Sequence, residues 1–221
     1  MPALNTSPLR DQLLEGRFKA LWHRCRLPDS GDHASQIWKL LARRYSESHR
    51  FYHDQGHLAH CLEQLDLAQG VIHQPDQVEM AIWFHDLVND PGDRSNEARS
   101  ADKFRVVAEG VMDPGFIDRV AALILVTTHR EVPTDPDQQF ICDIDLTSFG
   151  CPWECFMRDS DAVKAEFPGS DEDYYRGKKL FLEHLLARPQ IFLTDFFHAR
   201  YEDQARSNIG RLLEMIGERQ A

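Results

Sequence analysis

The chain has 221 residues, 42% of them hydrophobic and 28% charged, with 13 Phe and 4 Trp. These values exclude global disorder and suit one domain with a sizeable core. Acidic residues outnumber basic ones, 36 to 25, for a formal net charge of −11; that argues against nucleic-acid polymers as partners, since non-specific phosphate-backbone binding relies on basic clusters.

In chain order, the apolar residues recur at helical steps. Leu13, Leu14, Phe18, Leu21 and Trp22 mark a first helix. Asp32 is a candidate cap for a second, with the stripe Ile37, Leu40 and Leu41. A polar, aromatic-punctuated stretch from Tyr45 to Gly56 leads into a helix carrying Leu58, Cys61, Leu62 and Leu65. Pro75 and Asp76 suit a helix start, and Val78, Ala81, Ile82, His85 and Val88 follow on one expected face. After the Asn89–Asp93 loop, Ser95 is expected to cap a helix running through Phe104 and Val107. Pro114 opens a helix with Ile117, Val120, Ala121, Ile124 and Leu125, and turn residues 133–137 precede a short apolar segment, Phe140 to Phe149. Further helices are expected over Pro152–Phe167, Asp171–Ala187 and Thr194–Arg219, the last with Ile209, Leu212, Leu213 and Ile216 as its stripe. Val71–Ile72 and Ile124–Thr128 are the nearest approach to strands. The expectation is a single all-α domain, without repeat or linker.

No run approaches the roughly 18 apolar residues of a membrane span, so no membrane partner is expected. The start, Met1 to Pro8, lacks the basic-then-apolar order of a secretory signal. The 5 cysteines form no Cys-x-x-Cys pair, which suits a reducing, cytoplasmic setting. Cys151-Pro-Trp-Glu-Cys155 reads as packing.

Chemistry concentrates in the histidines. Of the 11, six (His49, His53, His57, His60, His73 and His85) fall between positions 49 and 85. Histidine is the commonest metal ligand and a common general base; the competing reading is a set of surface histidines. His53, His57 and His60 would share a face if helical. His85 and Asp86 interrupt an apolar run, where a carboxylate is costly unless paired or bound to a cation; the competing reading is a structural His–Asp pair. Asp143 and Asp145 interrupt a second apolar segment.

His57, His85-Asp86 and Asp145 stand in the order H…HD…D. This pattern resembles the HD-domain superfamily of metal-dependent phosphohydrolases. The resemblance extends through Arg50-Phe-Tyr52-His53-Asp-Gln-Gly-His57-Leu, Trp83-Phe-His85-Asp86, Ser95-Asn96-Glu97-Ala-Arg-Ser100, Thr128-His129 and Asp143-Ile-Asp145-Leu. Gly177 with basic neighbours Arg176 and Lys178, and Ala205-Arg206-Ser-Asn208, fit as well, so the match spans about residues 45–213. The series resembles a subgroup of predicted HD-type metal-dependent phosphohydrolases. Asn89 stands where relatives often have Tyr, and Ser95 where they often have Asp.

The resemblance implies an HD-type helical bundle with His57, His85 and Asp86 as metal ligands. The fourth is Asp145 or Asp143, with Asp145 preferred and Asp143 orienting a ligand. His53 and His129 would hold a second ion or bind phosphate. Such a donor set suits Mn, Fe, Co, Ni or Zn, and Mg less well; a divalent ion there would activate water and neutralise phosphoryl charge. Glu97 is the candidate for positioning or deprotonating that water, with Asp86 the other catalytic candidate, and Arg50 and Arg206 for gripping phosphate. The expected activity is divalent-metal-dependent hydrolysis of a small phosphorylated molecule, with a nucleotide phosphomonoester foremost. A di-iron HD-type oxygenase and a non-catalytic metal- or nucleotide-binding module are the alternatives.

Overall fold

Helix formation follows the apolar spacing closely. The computed structural model describes residues 8–220; residues 1–7 of the segment read above for a secretory signal lie outside the described residues. Among the described residues there are ten α-helices: α1 (Pro8–Cys25), α2 (Ala34–Arg44), α3 (Gln55–Ala68), α4 (Pro75–Phe84), α5 (Asn96–Ala108), α6 (Pro114–Val126), α7 (Pro136–Leu146), α8 (Trp153–Glu166), α9 (Asp171–Ala187) and α10 (Asp195–Gln220). A 3₁₀ turn, Thr147–Gly150, separates α7 from α8. No strand forms among the described residues, only an isolated bridge between Arg26 and Met112. Val71–Ile72 and Ile124–Thr128 are therefore helix ends and turns. The fold is all-α, and no described helix is long and apolar enough to cross a membrane.

One continuous apolar core runs from Leu14 to Ile216. In its N-terminal part Phe18 meets Trp83 edge-to-face at 5.4 Å, and Trp38 meets Trp83 at 6.1 Å. Full burial of a side chain such as Phe18 contributes about 1.5–3 kcal/mol. Leu13 departs from the expected stripe and is exposed, as is Leu125 on α6, whereas Trp38 is buried. The helix faces are thus narrower or rotated relative to a simple count of apolar residues.

Several ends differ from expectation in ways that shape the site. The fourth helix stops at Phe84, and His85 is its C-cap, its N–H donating to Ala81 O. His85 and Asp86 therefore sit in the closing turn instead of mid-helix, which frees their side chains from the helix's own packing. The α2 cap position is taken by His33, whose side chain caps nothing; Asp32 instead accepts from the Ala34 N–H at 3.1 Å. Ser95 does occupy the α5 cap position, but its hydroxyl donates to Asp93 and caps no helix N–H. Gly150 packs against α10 so closely that a Cβ there would lie 2.5 Å from Tyr201 Cβ, so this contact requires glycine.

Candidate metal centre

Three segments deliver the candidate ligands. Asp54 caps α3, accepting from the Gly56 and His57 N–H groups, and thereby fixes His57 in the first turn. The closing turn of α4 supplies His85 and Asp86, and the last turn of α7 supplies Asp145. His57 Nε2 lies 3.3 Å from His85 Nε2, 3.6 Å from Asp86 Oδ2 and 3.2 Å from Asp145 Oδ1. His85 Nε2 lies 3.0 Å from Asp86 Oδ2 and 3.6 Å from Asp145 Oδ1. A first-row divalent ion about 2.1 Å from each donor would separate neighbouring donors by roughly 3.0–3.4 Å, so the spacing fits one ion.

The tautomer fits as well. His85 Nδ1 lies 2.8 Å from Ile82 O, and a carbonyl can only accept. Nδ1 therefore carries the proton, and in the neutral ring Nε2 turns a lone pair toward the cluster. Burial opposes charge on His85, but Asp86 and Asp145 outweigh it and raise the imidazole well above its usual range. The same pairing holds both carboxylates well below theirs, against burial. The cluster is thus an anionic pair balanced by imidazoles.

Cys61, one turn after His57, was not singled out from the sequence. Its Sγ lies 3.6 Å from His57 Nε2, within a group of possible donors formed by His57, Cys61, His85 and Asp145. Burial pushes this thiol well above its usual range, so binding an ion through Cys61 would release its proton. Asp86 lies outside that group, but its Oδ2 is 3.0 Å from His85 Nε2 and 3.6 Å from His57 Nε2, so Cys61 and Asp86 are both placed to complete the set.

The two aspartates of α7 separate cleanly. Positions two apart on a helix diverge by about 200°. Asp145 turns Oδ1 to His57 and His85 and Oδ2 to His129 Nε2 at 2.8 Å. Asp143 points away: it accepts from the Leu193 and Thr194 N–H groups at 2.7 and 2.8 Å and from the Thr194 hydroxyl. It therefore orients no ligand, contrary to expectation, and ties α7 to the start of α10. Burial raises its carboxyl to about 6 despite those donors. Asp145→Asn is expected to lower the metal bound per chain, whereas Asp143→Asn keeps it and loses about 1–3 kcal/mol of stability; elemental analysis and urea unfolding separate the two, and the reverse ordering would move the ligand to Asp143.

His129 orients Asp145. It follows α6 in a left-handed conformation, φ 52°, unusual for a residue with a side chain. Arg188 holds that bend by donating to His129 O at 2.6 Å. Burial lowers the His129 imidazole, but the bond to Asp145 prevails and raises it to about 10. His53 comes from the loop before α3, not from a shared helix face as expected, and its Nδ1 meets Glu166 Oε2 at 2.5 Å. His60 turns to the Thr147 hydroxyl.

Glu166, at the end of α8, went unrecognised in the sequence. Its Oε1 accepts from the N–H groups of Phe51, Tyr52 and His53 at 2.7, 2.7 and 2.9 Å. Burial opposes its charge, yet His53 and these amides hold the carboxyl at about 2, below its ordinary 4.5. Such a group stabilises the fold fully above its unfolded value and loses that contribution as pH falls from about 4.5 toward 2. Glu166→Ala is expected to cost about 3–5 kcal/mol, with Glu166→Gln closer to the parent because one acceptor remains. Equal denaturant midpoints for Glu166→Ala and the parent would remove the strap from the account.

Neither arginine expected to grip phosphate is available for it. Arg50 is buried, and its guanidinium donates to Glu47 and to the carbonyls of His53, Asp86 and Leu87. It is a tie that holds the His85-Asp86 turn against the loop before α3. Arg206 donates to Glu202 and to the carbonyls of Leu186, Arg188 and Pro189. Both are consumed by carbonyls that helix ends and loops leave unpaired.

A cavity of about 420 Å³ opens over the cluster, lined by Asp86, Asp145, His53, His129 and Glu97 among others. Glu97, in the first turn of α5, is half-buried; burial, then Asp86, raises its carboxyl, against a pull from its own backbone N–H. Tyr52 also lines the cavity, its hydroxyl 2.9 Å from Ser148 Oγ and its ring 4.8 Å from that of His57. Elsewhere, Cys151, Cys155 and Asp159 gather within ligand distance of one another. Arg158 already donates to Cys155 Sγ and Asp159, so that group carries its own cation. Comparison of the chain with protein-family models, curated proteins and solved structures returns no match.

Proposed function

We propose that this chain is a divalent-metal-dependent phosphohydrolase of the HD type, acting on a small phosphomonoester. The observation that carries the reading is the convergence of His57, His85 and Asp145 in one donor group, with Asp86 3.0 Å from His85 and 3.6 Å from His57, beneath a cavity that also holds Glu97. An ion held there supplies Lewis acidity toward a phosphoryl oxygen and activation of water near neutral pH. Asp86, Glu97, Asp145, Asp159 and Asp173 line the cavity together, and an ion at the cluster would offset their repulsion of a phosphate. The chain's own part is to orient and deprotonate. His129 fixes Asp145, Arg50 fixes the Asp86 turn, and the raised Glu97 carboxyl can take a proton from the attacking water.

The oxygenase reading requires His53 and His129 as further ligands; His53 Nδ1 meets Glu166 and His129 Nε2 meets Asp145, so His53 would bind through Nε2 and His129 through Nδ1. The test is elemental analysis of the purified protein, followed by phosphate release from nucleoside monophosphates and other small phosphoesters with Mn, Co, Ni, Zn, Fe and Mg. Release that requires a divalent ion supports the reading. A metal-loaded protein that releases none, but consumes oxygen with ferrous iron, replaces it with the oxygenase.

A further inference from the structure

With Arg50 and Arg206 committed to carbonyls, the question is which group meets the substrate's anion. Lys178 lines the cavity and is the single Lys or Arg among its described lining residues. It makes no ion pair or hydrogen bond among the described residues; its Nζ rests over the Phe149 ring, 5.5 Å from the centroid. The other basic side chains of α9 differ: Arg176 pairs with Glu172 and Asp173, and Lys179 with Glu183. Desolvation alone acts on the Lys178 ammonium, pulling it down to about 8, with no carboxylate offsetting it. Asp86, Glu97, Asp145, Asp159 and Asp173 line the same cavity, but none of them pairs with Lys178; a partly buried cation in no ion pair costs free energy, which an anionic ligand would recover. Around it, Phe149, Phe156, Phe167, Tyr174 and Phe181 form an aromatic wall, which suits a planar ring.

We propose that Lys178 recognises an anionic oxygen of the substrate, and that the aromatic wall holds a planar organic group of the same molecule. The substrate class is thereby narrowed from phosphomonoesters at large to those carrying an aromatic or heteroaromatic moiety. Lys178 and the cluster's Asp86 and Asp145 line one cavity of about 420 Å³. The inference rests on the metal-dependent reading above, and binding measurements keep the two separable.

The experiment compares metal-loaded parent, Lys178→Met and Lys178→Arg proteins, with metal content and melting temperature measured for each. Phenyl phosphate and inorganic phosphate are titrated calorimetrically. Phenyl phosphate is expected to bind the parent more tightly than inorganic phosphate. Lys178→Met is expected to weaken phenyl phosphate roughly 10–100-fold, the effect of losing a charged hydrogen bond, with unchanged metal content. Lys178→Arg, which retains the cation, should stay within a few-fold of the parent. If Lys178→Met binds phenyl phosphate like the parent, or the parent binds it no better than inorganic phosphate, the proposal is overturned. Should Lys178→Met unfold, Lys178→Arg decides: a folded arginine variant with no affinity for phenyl phosphate also overturns it. Intact anion binding in a protein without phosphatase turnover would keep the Lys178 assignment and remove the hydrolase reading; metal-dependent turnover unaffected by Lys178→Met would do the opposite.

Discussion

Stripping divalent metal with a chelator is expected to lower the melting temperature by about 8–16 °C, and adding metal back should restore it. The ligands come from α3, the end of α4 and the end of α7, so an ion joining them binds the folded chain alone. A ligand at about 1,000 times its Kd stabilises by about 4 kcal/mol, and for a chain of this size each kcal/mol moves the midpoint by about 2–4 °C. Asp86→Ala removes one donor and one of the two carboxylates that neutralise the buried imidazoles. That variant should melt near the chelated parent and respond little to added metal. Calorimetry with and without chelator, alongside elemental analysis, makes the comparison; a full equivalent of metal retained by Asp86→Ala would refute the ligand assignment.

Glu97→Gln is expected to keep metal and fold while losing about 10²–10⁴-fold in phosphate release, the usual contribution of a positioned general base. Glu97 faces the cavity from the first turn of α5, and its carboxylate is in no ion pair among the described residues. The alternative role, complementing the positive end of its own helix, involves under about 1 kcal/mol and would leave turnover nearly unchanged. Because glutamine is nearly isosteric, a large loss in kcat without a change in melting temperature distinguishes the two. Parental turnover in Glu97→Gln would end the general-base role.

The sequence made the helices legible because their faces obey a local period. The span Asp171–Ala187 is reproduced at both ends, where Ser170 caps the start and the apolar stripe stops. The divergence of Asp143 from Asp145 was also readable, since it follows from helix geometry alone. The arginines were not. Arg50 reaches carbonyls 36 and 37 positions away, and a guanidinium that ties loops looks the same in sequence as one that awaits a phosphate. Glu166 left no local signal either: its partners lie more than 110 positions upstream. Cys61 had one, its four-residue offset from His57, which places a donor on the same helix face.

The buried carboxylates have a consequence for the dynamics of the loops they bind. Glu166 takes the amides of residues 51–53, and Asp137 takes those of His73 and Gln74. Glu202 takes those of Ile191 and Phe192, and Asp143 those of Leu193 and Thr194. Nine amides in irregular segments thus have ionised or ionisable acceptors, with no sheet among the described residues to order them. In native-state hydrogen–deuterium exchange, irregular segments ordinarily exchange early because they open locally at little cost. Here residues 51–53 and 191–194 should exchange as slowly as the helices they join, so that opening either loop requires undocking α8 or α10. The segments bordering the candidate site would then belong to the same cooperative unit as the core, and motion that admits a substrate would have to arise elsewhere, at the rim formed by α5 and α9.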